Sequence, residues 1–307
     1  MEKKNNCNVV FIGDTPLLYS CVLTSIKFFK KIYLITKNKE INKKVPKEVL
    51  KVEDLNEVDL RKINFVFSIM NHKIISNTLI NNKNVKFINF HDAFLPKYAG
   101  LYSSTWSILN NEKYHGVTWH EITNVVDGGN IYLQKKFKIK DIDNANSIDL
   151  KSNYYGIKTF SQLLTIIFKK NFLSNKQNIK KRTYYGLKDK LNIPNNGFLD
   201  FKDSLNKIIR LSKALKFSKN KVNKLCKLKL YTSEGVFEVE DVYLENNNKL
   251  NLFKTNDTIN INDNNFLIKK NNKIIRVYLK KKNLPKSFII KTPSKKIMKK
   301  YINFNLD

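Results

Sequence analysis

The chain has 307 residues, with 57 Lys and Arg against 26 Asp and Glu for a formal net charge of +31, and it is 42% hydrophobic and 12% aromatic. That is length for one large domain or two modest ones with a buried core, which excludes wholesale disorder. No apolar run reaches the roughly 20 residues of a membrane-spanning helix, and Cys7, Cys21 and Cys226 are too few and scattered for a disulfide framework or a four-ligand zinc site. These features predict a soluble, cytoplasmic protein without a signal peptide or a membrane partner. Residues 1–150 carry a net +7 and the remainder +24. A polyanionic partner would use such an excess. Lys, Asn and Ile nevertheless recur everywhere, turns and helix ends included, which reads as a compositional bias with Lys as the default solvated residue.

The apolar run 7–12 ends at Gly13, and from Pro16 to Phe29 the residues Leu17, Leu18, Cys21, Val22, Ser25 and Phe28 recur at helical spacing, predicting strand, turn and helix. The turn Gly13-Asp14-Thr15-Pro16 lacks the glycine spacing of a dinucleotide fingerprint. Further buried strands are predicted at 32–36, 63–69 and 85–90, with a helix over 73–81. Alternating strands and helices argue for a parallel sheet, whose ligands bind beyond the carboxyl ends of the strands. After a loop containing Pro96 and Gly100 come a short helix at 103–110, strands at 116–122 and 130–139, and a long amphipathic helix over 147–170. The stretch 172–196 is polar and Asn-rich and reads as a linker. A helix at 201–217 then precedes five short alternating segments at 227–231, 236–244, 258–261, 266–270 and 274–279. Their spacing suggests a small β-barrel or curled sheet. No repeat of fixed period is present.

Residues 85–134 hold three of the four histidines and both tryptophans. Asn89 and His91 flank Phe90 directly after a predicted strand, so an extended chain turns both side chains the same way. Asp127 lies in a turn beside Gly128 and Gly129 that could return to them. An amide donor, an imidazole and a carboxylate at a sheet's carboxyl edge are the parts that acyl transfer needs. His120 beside Trp119 reads as a packed neighbour of that group, His115 as a surface turn histidine and His72 as solvated. Outside this motif no His, Cys or Asp cluster has metal-ligand spacing, and no metal is expected.

The pattern Asn89-x-His91, Leu95-Pro96, Gly100, Gly116-Val117-Thr118-x-His120 and Asp127-x-Gly129-x-Ile131 resembles the folate-dependent formyltransferase family. That family includes methionyl-tRNA and glycinamide ribonucleotide formyltransferases, sugar-nucleotide N-formyltransferases and the formylation domains of nonribosomal peptide synthetases. The motif match covers roughly residues 63–135, with weaker similarity from Val9 to Phe217. The resemblance implies a Rossmann-like, mainly parallel α/β sheet followed by a small barrel-like, OB-like carboxyl-terminal domain. The expected division is a catalytic domain over 1–172, a linker over 173–204, a β-rich domain over 205–290 and a basic tail over 291–307. It also implies 10-formyltetrahydrofolate as formyl donor and Asn89, His91 and Asp127 as the catalytic trio. Asn89 would stabilise the tetrahedral intermediate, His91 would accept a proton or stabilise the same oxyanion, and Asp127 would hold His91 and shuttle the proton through water. Matching positions put Asn71, Ile74, Ile75, Leu95 and the stretch Ile122 to Val126 at the pterin pocket.

Where the tRNA and ribonucleotide enzymes usually read His-Pro-Ser-Leu-Leu-Pro, this chain reads His91-Asp92-Ala93-Phe94-Leu95-Pro96, and Ala99 replaces a common basic residue. Asp92 could bind an acceptor's ammonium or cap the loop. The motif is more similar to the peptide-synthetase-type and sugar-nucleotide enzymes, and Arg182 to Gly186 and Gly197 to Phe201 resemble the segment that leads into the peptide-synthetase-type carboxyl-terminal domain. The expected acceptor is therefore a primary amine on an aminosugar nucleotide or on a carrier-bound aminoacyl group. Methionyl-tRNA, hydrolysis of the formyl donor and a degenerate basic binding module are the rival readings.

Overall fold

The computed structural model describes residues 5–71, 73–169, 173–217, 225–245, 258–262, 264–270, 272–280 and 288–301. The chain forms two compact units. The first comprises the described residues of Met1–Ser103, Lys113–Ile139 and Ile148–Tyr185, and the second those of Ser104–Glu112, Lys140–Ser147 and Gly186–Asp307. The division is not a single cut at residue 172: two short stretches within the first 147 residues belong to the second unit, and 173–185 belongs to the first.

The first unit opens with β1 (Asn5–Ile12), α1 (Pro16–Ser25) and β2 (Phe29–Ile35). Pro16 sits in the first helical turn, where its missing N–H costs nothing. The helix stops short of the predicted Phe29, because that residue already pairs with Asn5 in the sheet. Next come α2 (Lys39–Lys44) and β3 (Val49–Lys51), neither of them anticipated. α2 has one buried residue, Ile41, and starts where the Asn38 carboxamide accepts the N–H groups of Glu40 and Ile41. β4 (Phe65–Ile69) is buried at every position, the mark of a strand covered on both faces. α3 is confined to Asn77–Ile80, and β5 spans Lys86–His91. β6 (Ala99–Gly100) follows; α4 (Ser103–Leu109) belongs to the second unit from Ser104 on, and the first unit resumes with β7 (Tyr114–Glu121), β8 (Ile131–Lys138), α5 (Ala145–Ile167), whose first three residues belong to the second unit, and β9 (Tyr184–Tyr185).

The sheet order is β3-β2-β1-β4-β5-β7-β8. The first five strands run parallel, and β7 and β8 extend the sheet antiparallel, with β8 outermost. Phe11 stacks on Phe67 at 5.3 Å, and Phe160 of α5 meets Phe67 at 5.2 Å and Trp119 at 5.3 Å. Each such aromatic pair contributes about 1 kcal/mol beyond its buried area. The Trp119 indole donates to Thr159 Oγ1 at 2.9 Å, so its polar edge is satisfied inside the core. This seam fixes the β5 and β7 registers, which set Asn89 opposite His120 and His91 opposite Thr118.

In the second unit α6 (Leu205–Leu215) begins at Ser204, whose hydroxyl accepts the Lys207 N–H, and buries Ile208, Leu211, Ala214 and Leu215 on one face. β10 (Lys229–Thr232), β11 (Gly235–Glu245), β12 (Thr258–Asn262), β13 (Asn265–Lys270) and β14 (Lys273–Leu279) form one antiparallel sheet in the order β10-β11-β14-β13-β12. The predicted linker holds single turns at Ile179–Lys181, Leu187–Asn192 and Pro194–Gly197 besides β9. The predicted tail contains α7 (Lys295–Lys300), capped by Ser294. No helix among the described residues is long and apolar enough to cross a membrane.

Candidate active site

β5 ends at His91, and its alternation turns Asn89 and His91 toward one face. The turn after β7 supplies the carboxylate. Its backbone folds back through Gly128 N–H to the Val125 carbonyl at 3.0 Å, and Asp127 takes a left-handed φ of 51° that few side chains adopt. Gly129 is required there, since a Cβ would lie 2.0 Å from the Glu121 carbonyl oxygen.

Asp127 Oδ2 accepts the Gly100 N–H at 2.7 Å and lies 3.6 Å from His91 Nδ1; Oδ1 lies 3.4 Å from His120 Nε2. The Asn89 carboxamide Nδ2 is 3.1 Å from that same His120 nitrogen. His91 Nε2 meets the Tyr98 carbonyl at 2.8 Å, so it carries a proton and leaves Nδ1 to face Asp127. His120 Nδ1 likewise donates to the Glu121 carbonyl at 2.8 Å. Its Nε2 then accepts from Asn89 when the ring is neutral and donates to Asp127 when it is protonated. The trio is thus a quartet, joined through a histidine that sequence reasoning set aside as a neighbour. The cross-strand pairing of Asn89 with His120 is the signal that would have revealed it.

Three of the four side chains sit largely out of water, at 7% exposure for His91, 2% for His120 and 9% for Asp127, and Asn89 is half-buried. Burial works to lower the His91 pKa, but the charges of Asp127 and Asp92 and the Tyr98 carbonyl outweigh it and raise the value above 6.5. Burial works to raise the Asp127 pKa, and the two imidazoles and the Gly100 amide reverse that, holding the carboxyl well below its usual range. Both shifts favour the charged forms, imidazolium beside carboxylate, an arrangement able to stabilise developing negative charge.

Asp92 Oδ1 is 3.9 Å from His91 Nδ1, and its main-chain carbonyl accepts from Ser103 Oγ and His115 Nε2. His115 is therefore no surface histidine: it is 2% exposed and packs edgewise on Phe137, because β7 already begins at Tyr114. His72 lies outside the described residues. Among the predicted pocket residues, Ile75 and Ile122 pack on one cluster with Val10, Val66 and Phe87, while Ile74 and Val126 stand 88% and 47% exposed. The Asn71 amide closes a local turn with Lys73. Leu95 does not belong with them. It is 1% exposed, its N–H bonds Thr118 Oγ1 and its carbonyl accepts from Gln134, so it anchors the loop from inside.

Residues 30–164 match the family model described as formyl transferase. The chain is thus similar to formyl transferases over that segment. Its formyltransferase segment is 28% identical over 144 residues to the bifunctional polymyxin resistance protein ArnA of Wigglesworthia glossinidia brevipalpis, covering 46% of this chain and 22% of that protein. It is 35% identical over 109 residues to methionyl-tRNA formyltransferase of Thermodesulfovibrio yellowstonii, covering 34% and 35%. The chain thus spans about a fifth and a third of these relatives. The fold is similar to the N-formyltransferase from Helicobacter canadensis, solved with folinic acid and dTDP-3-aminofucose, with a TM-score of 0.68, 24% identity and coverage of 89% of this chain and 99% of that one. Among the described residues no group of three or more His, Cys, Asp or Glu could hold a metal ion.

Proposed function

We propose that this chain transfers a formyl group from 10-formyltetrahydrofolate to a primary amine, with Asn89, His91 and Asp127 as catalytic residues and His120 completing the group. The observation that carries this reading is the His91–Asp127 pair at 3.6 Å beside the Asn89 amide, at the carboxyl end of a sheet strand. The acceptor's unprotonated amine attacks the formyl carbon directly, so no covalent enzyme intermediate is needed. The Asn89 amide and the His91 Nδ1–H stabilise the oxygen as it gains charge. Asp127 keeps His91 charged, and the proton shed by the attacking nitrogen passes through water and this carboxylate to the departing folate nitrogen. Ile75, Ile122, Ile74 and Val126 offer the pterin an apolar surface near the ends of β4 and β5, with Asn71 at its edge.

The proposed acceptor is an aminosugar nucleotide. The fold match to the Helicobacter canadensis enzyme, which extends over nearly all of that chain, supports it. Methionyl-tRNA is the second reading, favoured by the 35% identity to the Thermodesulfovibrio yellowstonii enzyme. A carrier-bound aminoacyl group is the third. The proposed compartment is the cytoplasm, which suits three cysteines outside any disulfide. The test is tetrahydrofolate release from 10-formyltetrahydrofolate across a panel of these acceptors, with wild type and His91→Ala. Acceptor-dependent release that disappears in the variant is expected, and wild-type turnover by folded His91→Ala overturns the mechanism. A tRNA acceptor loses affinity steeply as salt rises, whereas an aminosugar nucleotide responds shallowly. Formate release without any amine identifies a donor hydrolase instead.

A further inference from the structure

The stretch 173–185 looks like the least informative part of the first unit: polar, rich in Asn and Lys, with one turn and a two-residue strand. Only one of its residues, Gln177, is buried, at 5% exposure. The Gln177 Nε2 donates to the Asp127 carbonyl at 2.9 Å and to the Gly129 carbonyl at 2.6 Å. Two acceptors fix which end of the amide faces the turn. Its Oε1 is buried with no hydrogen-bond partner among the described residues, so the side chain is held for what its nitrogen does.

The flanking contacts act on the same turn. Asn175 and Ile131 exchange two main-chain hydrogen bonds of 2.7 Å, and Arg182 Nη2 donates to the Val126 carbonyl at 2.8 Å. A few residues on, the segment grips the other flank of the site. Thr183 Oγ1 accepts the Tyr98 N–H at 2.8 Å, the Thr183 carbonyl accepts the Ala99 N–H at 2.9 Å, and the Tyr185 carbonyl accepts the Leu101 N–H at 2.7 Å. Between those bonds lie the two main-chain groups that touch the ionised pair: the Tyr98 carbonyl on His91 and the Gly100 amide on Asp127.

We propose that residues 175–185 form a strap that sets the separation of His91 and Asp127, with Gln177 as the positioning residue for the carboxylate and Thr183 for the imidazole. The strap touches neither reacting atom; it holds the main chain from which both groups are presented. A shift of about 1 Å in such a pair can cost roughly a hundredfold in rate. The groups facing His91 are Asp127 at 3.6 Å, Asp92 at 3.9 Å, the Tyr98 carbonyl and the His120 ring, centred 6.5 Å away. Releasing Asp127 removes the nearer of the two charges that keep His91 protonated.

The proposal rests on the formyl-transfer reading for its kinetic readout alone. The experiment uses the full chain with Gln177→Leu, which keeps bulk and removes the donor, and Thr183→Val at an exposed position. Expected in Gln177→Leu are a 10- to 100-fold fall in kcat, in line with misplacement, and KM values for donor and acceptor within about twofold. The His91 ring titration by NMR, assigned against His91→Ala, shifts toward lower pH in both variants. An unmoved titration with unchanged kcat overturns the proposal. So does a loss of activity that follows thermal stability and KM while the titration stays put, since that is a structural defect alone. If wild type proves inactive on every acceptor, the functional reading fails while the titration still decides the strap. If Gln177→Leu does not fold, Thr183→Val decides it.

Discussion

Each unit buries ionisable groups, and the two do so in opposite ways. In the first unit the carboxylate of Asp127 and the imidazole of His91 face each other at the end of a strand, each holding the other's charge. In the second, Lys229 is 1% exposed and its ammonium lies 5.1 Å above the Phe198 ring, with the Cys226 sulfur at 3.3 Å and the Lys227 carbonyl at 3.1 Å. Among these neighbours are a ring, a carbonyl and a thiol but no carboxylate, so the ammonium lacks the opposed charge that Asp127 gives His91. The difference separates buried charge that can do chemistry from buried charge that serves packing.

The sharpest way to break that contrast is to disable the first cluster. His91→Ala and Asp127→Asn are expected to lower kcat by about 10²- to 10⁴-fold, while circular dichroism and melting curves remain those of a folded protein. Asn89→Ala follows, at about 10²- to 10³-fold, as for the loss of one oxyanion donor. The paired charges also leave a signature in stability. The raised pKa of His91 stabilises the fold below its ordinary 6.5 and ceases to do so as pH climbs through the folded value. The depressed pKa of Asp127 stabilises above 3.8 and ceases to do so as pH falls through its own folded value. The melting-temperature gap between wild type and Asp127→Asn should therefore be widest between 3.8 and 6.5 and narrow on the alkaline side. A gap that does not vary with pH would show that the pair is not ionised. The smallest effect is expected in the second unit. Lys229→Met should leave formyl transfer unchanged and the melting temperature level or higher by a few degrees, about 1 kcal/mol. Lost transfer in that folded variant would erase the distinction.

The parallel core was legible because its signal is strong and local: a fully apolar β4, helical spacing through Leu17, Cys21 and Val22, and an Asn-x-His alternation that fixes one face of β5. The expected strands at 227–279 coincide with β10 to β14 for the same reason. What escaped notice depends on contacts between distant residues. His115 follows a tyrosine and precedes a glycine, a turn-like setting, and only the length of β7 takes it inside. Leu95 matches a pocket position by motif, yet its bonds to Thr118 and from Gln134 make it an interior anchor. The stretch 173–185 looked like a linker because its contacts are made by main chain and by one amide, neither of which leaves a hydrophobic pattern. α2 was missed because a six-residue helix with a single buried side chain has no apolar stripe.

The outermost strand has a further consequence. β8 presents Lys135, Lys136 and Lys138 exposed around the buried Phe137, and the Lys136 ammonium lies 4.4 Å above the Tyr114 ring. A second molecule extending the sheet along this edge would have to dehydrate three ammonium groups, a strong deterrent to edge-to-edge association. In this first unit, lysine thus does more than dissolve the surface: along β8 it makes one edge of the seven-stranded sheet a poor template for a further strand.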